Sequence, residues 1–507
     1  MYSIYLIKKN LILLTLALVA PLIANAQISI TPENVGLGGG GTSYLSGYEA
    51  LFVNPANLQI RDKDYRVQFG FAQTGLYYES PLRINKATNK LDAYLDVMHQ
   101  INRPDVLSED QRTNLINRNY GETTLMNEFL SRGEVTWFGI KWLGDDNSYA
   151  VALRTRYASR YNVGRGYYDS EPVALNGNEL IEQSLTHRYQ TLHELSFGYS
   201  SSYTFLNGLI PRLSEFIVGI APKLVIGGAM QDTEYVNRYE RLSEDEPWFR
   251  ETEYRYRSTG DITHSANRFQ QGFDPVTAGA NFTGSDLFRP TGIGFGLDIG
   301  ITYLITFGDD LSVVRRDEEI TEKSLRLSFS LTDLGAIYYY DDPLQLSSER
   351  EVTEEDPNAV SETYFTGSPT EDFIFLSQFE NHPLLSANID SDESFETMLP
   401  TAFNAGALFQ INRIRLMGDF SVGLQRSAMV TPKFISYVGA EIRPLSFLPL
   451  RAGTRFATEI PGYYSVGAGI ETKYFDLNAA VQFRSKSGGP TIEPVGTSVV
   501  ALKFYLP

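Results

Sequence analysis

Seven arginines, Arg154, Arg156, Arg326, Arg415, Arg451, Arg455 and Arg484, and four carboxylates, Asp419, Glu441, Glu471 and Asp476, alternate with apolar neighbours along the chain. These are the side chains best placed to do chemistry. On a strand, a period of two puts such charges on one face. Facing each other across an enclosed space, they could pair with one another, hold a segment threaded between them, or form an anion-selective filter. A structural ion-pair network is the favoured reading.

Other chemistries find less support. The run Gly36-Leu37-Gly38-Gly39-Gly40-Gly41 contains the letters of a dinucleotide fingerprint, but no buried strand precedes it and no helix is signalled after it. Asp390-Ser391-Asp392-Glu393-Ser394-Phe395-Glu396 spaces oxygens like a calcium loop, yet lacks its glycine and distal glutamate. His99, His187, His193, His264 and His382 are scattered, and the spacing of His187 and His193 suits no metal pair. Cysteine is absent, which removes disulfides, thiolate sites and a lipid anchor, and no nucleophile-elbow pattern occurs. No catalytic residue, metal or cofactor is assigned, and no enzyme is expected.

The elements that must position the charges are strands. Leu325, Leu327, Phe329 and Leu331 alternate with Arg326, Ser328, Ser330 and Thr332, and Leu477, Ala479, Val481 and Phe483 with Asp476, Asn478, Gln482 and Arg484. Fourteen such segments fit between Tyr65 and Leu506. Short links such as Gly144–Asn147 and Asn412-Arg413 alternate with excursions at Pro81–Gly133, Ser159–Arg188, Gln231–Pro290 and Asp341–Met398. An even strand number with short turns at one end and long loops at the other predicts an all-β fold, a transmembrane antiparallel barrel. Leu91, Tyr94, Leu95 and Met98 have helical spacing, so one or two short helices are expected in the first excursion.

Lys8 and Lys9 precede an apolar run from Leu11 to Leu22 that ends in Ala24-Asn25-Ala26, the pattern of a signal peptide cleaved before Gln27. The expected division is therefore residues 1–26 as signal, 27–64 as a glycine-rich luminal hatch and 65–507 as barrel, in the bacterial outer membrane. With 61 acids against 43 bases, a net charge of −18, nucleic acid is not expected as a partner. Outer-membrane lipids and lipopolysaccharide are.

Gly36-Leu37-Gly38-Gly39-Gly40-Gly41-Thr42, followed by Tyr48-Glu49-Ala50-Leu51-Phe52-Val53-Asn54-Pro55-Ala56-Asn57-Leu58, resembles the N-terminal signature of FadL-type outer-membrane proteins. That superfamily includes PorV-like proteins and uncharacterised Bacteroidota relatives. The resemblance implies a fourteen-stranded barrel with a hatch carried by Gly36, Gly38, Gly39, Asn54, Pro55 and Ala56. Gly292–Asp298 resembles a mid-barrel strand of the same group. Gly40 stands where the family often has Ala, Asn57 where Gly is common, and Pro507 where an aromatic residue usually ends the chain. Function follows in two versions: passive transport of hydrophobic or amphipathic small molecules, or a scaffold or shuttle that docks secretion or envelope proteins. Because proline cannot donate to a sheet, Ala221, Pro222 and Lys223 are expected to mark a bulge or a lateral opening of the kind FadL-like transporters use.

Overall fold

Alternation of apolar and polar side chains runs through fourteen strands that close into one antiparallel barrel. The computed structural model describes residues 29–63, 65–79, 109–110, 113, 116–117, 120, 124–169, 171–203, 214–260, 289–306, 323–347, 350–354, 388–390, 394–457, 460–485 and 492–506. The barrel strands are β1 (Val67–Glu79), β2 (Met126–Leu143), β3 (Asn147–Gly164), β4 (Leu185–Tyr203), β5 (Ser214–Arg241), β6 (Gly292–Thr306) and β7 (Lys323–Tyr339). The second half comprises β8 (Ala402–Ile411), β9 (Ile414–Gly423), β10 (Phe434–Leu445), β11 (Leu448–Ala457), β12 (Ile460–Glu471), β13 (Phe475–Ser485) and β14 (Ile492–Leu506). Each strand pairs with the next, and β14 returns to β1 from Val67↔Leu506 to Tyr77↔Gly496. Closure removes the free edge that a bilayer would not tolerate.

Strand β6 shows the code most plainly. Ile293, Phe295, Ile299 and Ile301 are exposed on the outer wall, while Gly294, Gly296, Asp298 and Thr302 face inward. With Phe71, Trp137, Phe197, Phe329 and Leu416 on other strands, the exposed residues form the apolar belt of a membrane barrel.

Three expected excursions contain further strands. β5 runs for 28 residues; beyond Gly227 it leaves β6 and pairs with Phe249–Thr259, which then pairs with Leu344–Ser347 and Glu351–Glu354. The hairpin Val173–Leu175/Asn178–Glu182 adds to the end of β5, and Phe395–Met398 continues the wall beside β7. The wall thus rises well beyond the membrane at the long-loop end. Cross-strand ion pairs hold this part, for instance Arg188–Asp232 at 3.0 Å and Arg257–Asp232 at 2.8 Å, so the apolar alternation that reveals membrane strands is missing. The helix expected around Leu91 to Met98 lies outside the described residues, as do residues 1–26, His99, His264, His382 and Ser391–Glu393 of the calcium-like run.

The wall is closed at Pro222. Inward and outward faces alternate without a break from Ile217 to Gly227, and pairing to β6 is continuous, including Pro222↔Leu297. On the other side, only the pairs opposite Phe197 and Gly198 lapse, with register unchanged between Ser196↔Lys223 and Tyr199↔Ile220. The bulge of β5 falls farther along, where register shifts between Gln190 and Leu192 of β4. A second bulge lies on β7 between Leu331 and Leu334. It turns both Thr332 and Asp333 inward, with Asp333 at φ +57°. Immediately beyond, β7 changes partner from β8 to Phe395–Met398, and Leu399–Thr401 bridges the gap.

Candidate functional site

Residues 29–63 lie against the inner face of the barrel, almost all of them buried. Thr31 caps a single helical turn, Pro32–Gly36, through a reciprocal pair with Asn34. Gly38, Gly39 and Gly41 then take positive φ of 96°, 103° and 150° and fold the chain back. A Cβ on Gly38 would also stand 2.5 Å from the Thr454 carbonyl of the wall. Two 3-10 turns follow, Tyr48–Phe52 and Pro55–Gln59.

The wall is shaped for this segment. Side chains on Gly219 and Gly300 would lie 2.2 Å from the Ala56 nitrogen and 1.9 Å from the Asn54 carboxamide, so small inward residues make the seat for Asn54-Pro55-Ala56. Asn54 reaches Thr302 at 3.0 Å, and Ser200 donates to the Ala56 carbonyl at 2.8 Å. Asn57 donates to the carbonyls of Thr42 and Leu45 at 2.8 and 2.9 Å, bonds a glycine there could not make. Gly40 is also tightly placed, because an alanine Cβ would stand 3.0 Å from the Cβ of Tyr437. Gly300→Val is therefore expected to expel the Asn54–Ala56 turn and expose the segment. Limited proteolysis of the folded barrel should then cut within residues 29–62 at least about tenfold faster than in wild type.

Most of the charges identified from sequence hold this segment. Asp419 accepts from the Gly41 amide at 2.7 Å and the Ser43 hydroxyl at 2.5 Å. Arg326 donates to the Ser43 carbonyl at 3.0 Å. Arg451 pairs with Glu441 at 2.8 Å, the residue that accepts from the Tyr44 hydroxyl, and Arg415 faces the Tyr44 ring. Arg455 lies over Tyr77 and Tyr463, and Asp476 meets Lys63 and Tyr505. The side chain of Arg484 is outside the described set. Burial alone would raise the Asp62 carboxyl, but Arg415, Arg326 and the Ser46 hydroxyl outweigh it and hold the pKa at about 2. Its stabilisation is fully present above an ordinary aspartate pKa of about 3.9, declines as pH drops below that and is gone once pH has fallen through about 2.

Below the segment, at the short-turn end, opens a cavity of about 840 Å³ whose lining includes Asp62, Lys63, Arg413, Arg443, Glu471 and Asp476. Above it lies a second charged layer. Arg154 bridges Glu134 and Glu194, Arg156 forks onto Asp333 with two bonds of 2.9 Å, and Lys223 joins Asp298 at 2.7 Å to Asp333 at 2.6 Å. Arg154 and Arg156 were legible from alternation. Glu194 was not singled out, although it stands directly opposite Arg154 in register, and Asp333 is aimed inward only because of the bulge.

Higher still, apolar side chains gather beside the buried Arg160 and Gln190, which reach the Ala428 carbonyl and the Tyr339 hydroxyl. Ala158, Leu192, Val225, Ile337, Tyr339, Leu399 and Met429 belong to one buried cluster, and Leu399 lies in the bridge where β7 changes partner. Strand closure and strand number match the architecture implied by the FadL-type resemblance.

Residues 86–480 match the family model described as Family of unknown function (DUF5723). The chain belongs to this family. The match begins after Gly36–Leu58, so membership rests on the barrel and its loops, independently of the N-terminal motif. No curated protein matches the sequence. Among solved structures, a mutant of the TodX monoaromatic hydrocarbon channel is similar at 10% identity and TM-score 0.43, covering 94% of this chain and 97% of that one. The Pseudomonas putida toluene transporter TodX is similar at 10% identity and TM-score 0.41 over 96% and 99%. The CymD monoaromatic hydrocarbon channel stands at 12%, 0.39, 94% and 98%. At these values the barrel assignment of this DUF5723 member stands on its own strand pairing.

Proposed function

We propose that this protein is a passive outer-membrane channel that admits hydrophobic or amphipathic small molecules from outside and releases them sideways into the bilayer. One observation carries the reading: the apolar cluster of the upper lumen abuts the wall where β7 changes partner, at Gly335 and Leu399–Thr401. The way down is blocked by residues 29–63 and leads only to a charged cavity. An apolar solute would lose the benefit of burial on that path and keep it on the lateral one.

In this reading the signal peptide Met1–Ala26 is removed, and Gly36, Gly38, Gly39, Asn54, Pro55 and Ala56 belong to a hatch that stays seated. Membrane lipids and lipopolysaccharide surround the belt and the raised wall. Of the residues expected to mark a lateral opening, Lys223 contributes from β5 by tying the β7 bulge to Asp298. Parting occurs on the β7–β8 side rather than at Pro222.

The chain has no cysteine, so the route can be locked cleanly. Ala336 and Met398 face each other just beyond the gap. Leu399 donates to the Gly335 carbonyl, which makes the next pair, Ala336↔Met398, the closely spaced non-bonded kind, about 4.5 Å between Cα atoms and suited to a disulfide. Oxidised Ala336→Cys/Met398→Cys should take up radiolabelled toluene at least about tenfold more slowly than its reduced form. Equal rates would rule the lateral route out, and uptake by wild type no faster than by cells lacking the protein would rule out the channel.

A further inference from the structure

We infer that the apolar pocket of the upper lumen is a ligand site already occupied by the chain's own loop tip, Ala428-Met429-Val430, and that an uncharged apolar molecule binds by displacing this tip. The inference deepens the channel reading and, as to which ligand reaches the pocket, rests on it.

The tip belongs to the connection between β9, ending at Gly423, and β10, starting at Phe434, at the end of the barrel where connections are expected to be solvated. Its three residues are nevertheless only 3%, 1% and 4% exposed. They share the buried cluster with Leu192, Val225, Ile337, Tyr339 and Leu399 from four other parts of the wall. A connection that turns inward to bury a methionine and a valine fills space that the barrel provides.

The tip is built to leave as a unit. Ser427 donates its amide to the Val430 carbonyl at 2.8 Å, and its hydroxyl accepts the amides of Met429 and Val430 at 3.2 and 3.1 Å. These bonds keep the turn folded whether or not it is seated. Towards the wall, Arg160 reaches the Ala428 carbonyl at 3.5 Å, the outer limit of a hydrogen bond. Apolar contact is what seats the tip, and another apolar body can supply the same contact.

The surroundings fix the ligand's chemistry. Leu192, Val225, Ile337 and Leu399 offer no charge, and the Tyr339 hydroxyl is engaged by Gln190 at 3.1 Å. The charges around the tip are already paired, Arg154 and Arg156 with Glu134, Glu194 and Asp333, Arg160 with Glu128, and Arg257, over the Phe395 ring, with Asp232. A ligand bringing a charge of either sign would compete with those pairs. An uncharged hydrocarbon-like molecule, similar in bulk to the side chains it replaces, would leave them intact.

Met429→Cys gives a protein with one cysteine, and the test is its labelling by a membrane-impermeant maleimide, with toluene as the probe. Purified protein should label slowly alone and at least about tenfold faster with saturating toluene, while Ser446→Cys on a short turn at the opposite end labels at one rate throughout. Val430→Cys is the second reporter if the first folds poorly. Fast labelling without toluene, or a rate that toluene does not change while wild type still takes toluene up, overturns the inference and leaves the channel intact. Accelerated labelling in a protein that takes up no toluene supports the pocket and removes the channel.

Discussion

A barrel lacking Gln27 to Leu58 is expected to insert and to conduct ions at least about tenfold better than the full-length protein in planar bilayers. The strands keep their closed ladder without the segment, since every barrel strand pairs with two barrel neighbours. Groups that now grip the segment, among them Asp419, Arg326, Lys141 and Lys503, would face water in an open lumen instead of being stranded in a dry one. The cavity of about 840 Å³ at the short-turn end would then join the upper lumen. Single-channel recording decides the matter: unchanged conductance means that residues 29–58 do not close the pore.

Lys223→Met is expected to be the most destabilising single substitution in the wall. The lysine is buried between Asp298 and Asp333, and its loss leaves Asp298 with the Asp333 amide while Asp333 keeps Arg156. Removing one partner of a buried pair costs about 3–5 kcal/mol, because the remaining charge cannot be resolvated. The temperature at which the compact, fast-migrating form is lost on a gel should fall clearly. Adding Asp298→Asn should restore most of it by removing the orphaned charge. Wild-type heat resistance in the single variant would show that the network contributes little to holding the bulge.

Strands were legible because membrane and lumen impose opposite demands on alternate residues: Leu325, Leu327, Phe329 and Leu331 alternate with Arg326, Ser328, Ser330 and Thr332 without any structure. Two kinds of feature were hidden. Above the membrane, Asp232, Glu234, Arg255 and Arg257 pair across strands whose pattern carries no apolar phase, so the raised wall read as loops. In the lumen, charged residues could be counted but not matched, since Arg154 finds Glu194 through register and Asp333 finds Lys223 through a bulge. The bulge does leave a trace. Apolar residues sit outward at Leu327, Phe329 and Leu331 but inward at Ile337 and Tyr339, although all five are odd-numbered. Pro222 misled in the other direction: the lost donor costs two pairs to one neighbour, and intact register on both sides absorbs it.

The length of β5 has a consequence for where molecules are first met. Its 28 residues, at about 3.4 Å each and tilted about 40°, rise roughly 70 Å, against the roughly 25 Å of an apolar membrane band. The surplus, continued by Phe249–Thr259 and its partners, raises one side of the wall clear of the headgroups, to the height of the sugar coat of an outer membrane. Polysaccharide slows apolar solutes because they have nothing there to dissolve in. In the proposed channel, a solute would follow this raised wall down through that layer, so part of the slow approach would run along protein.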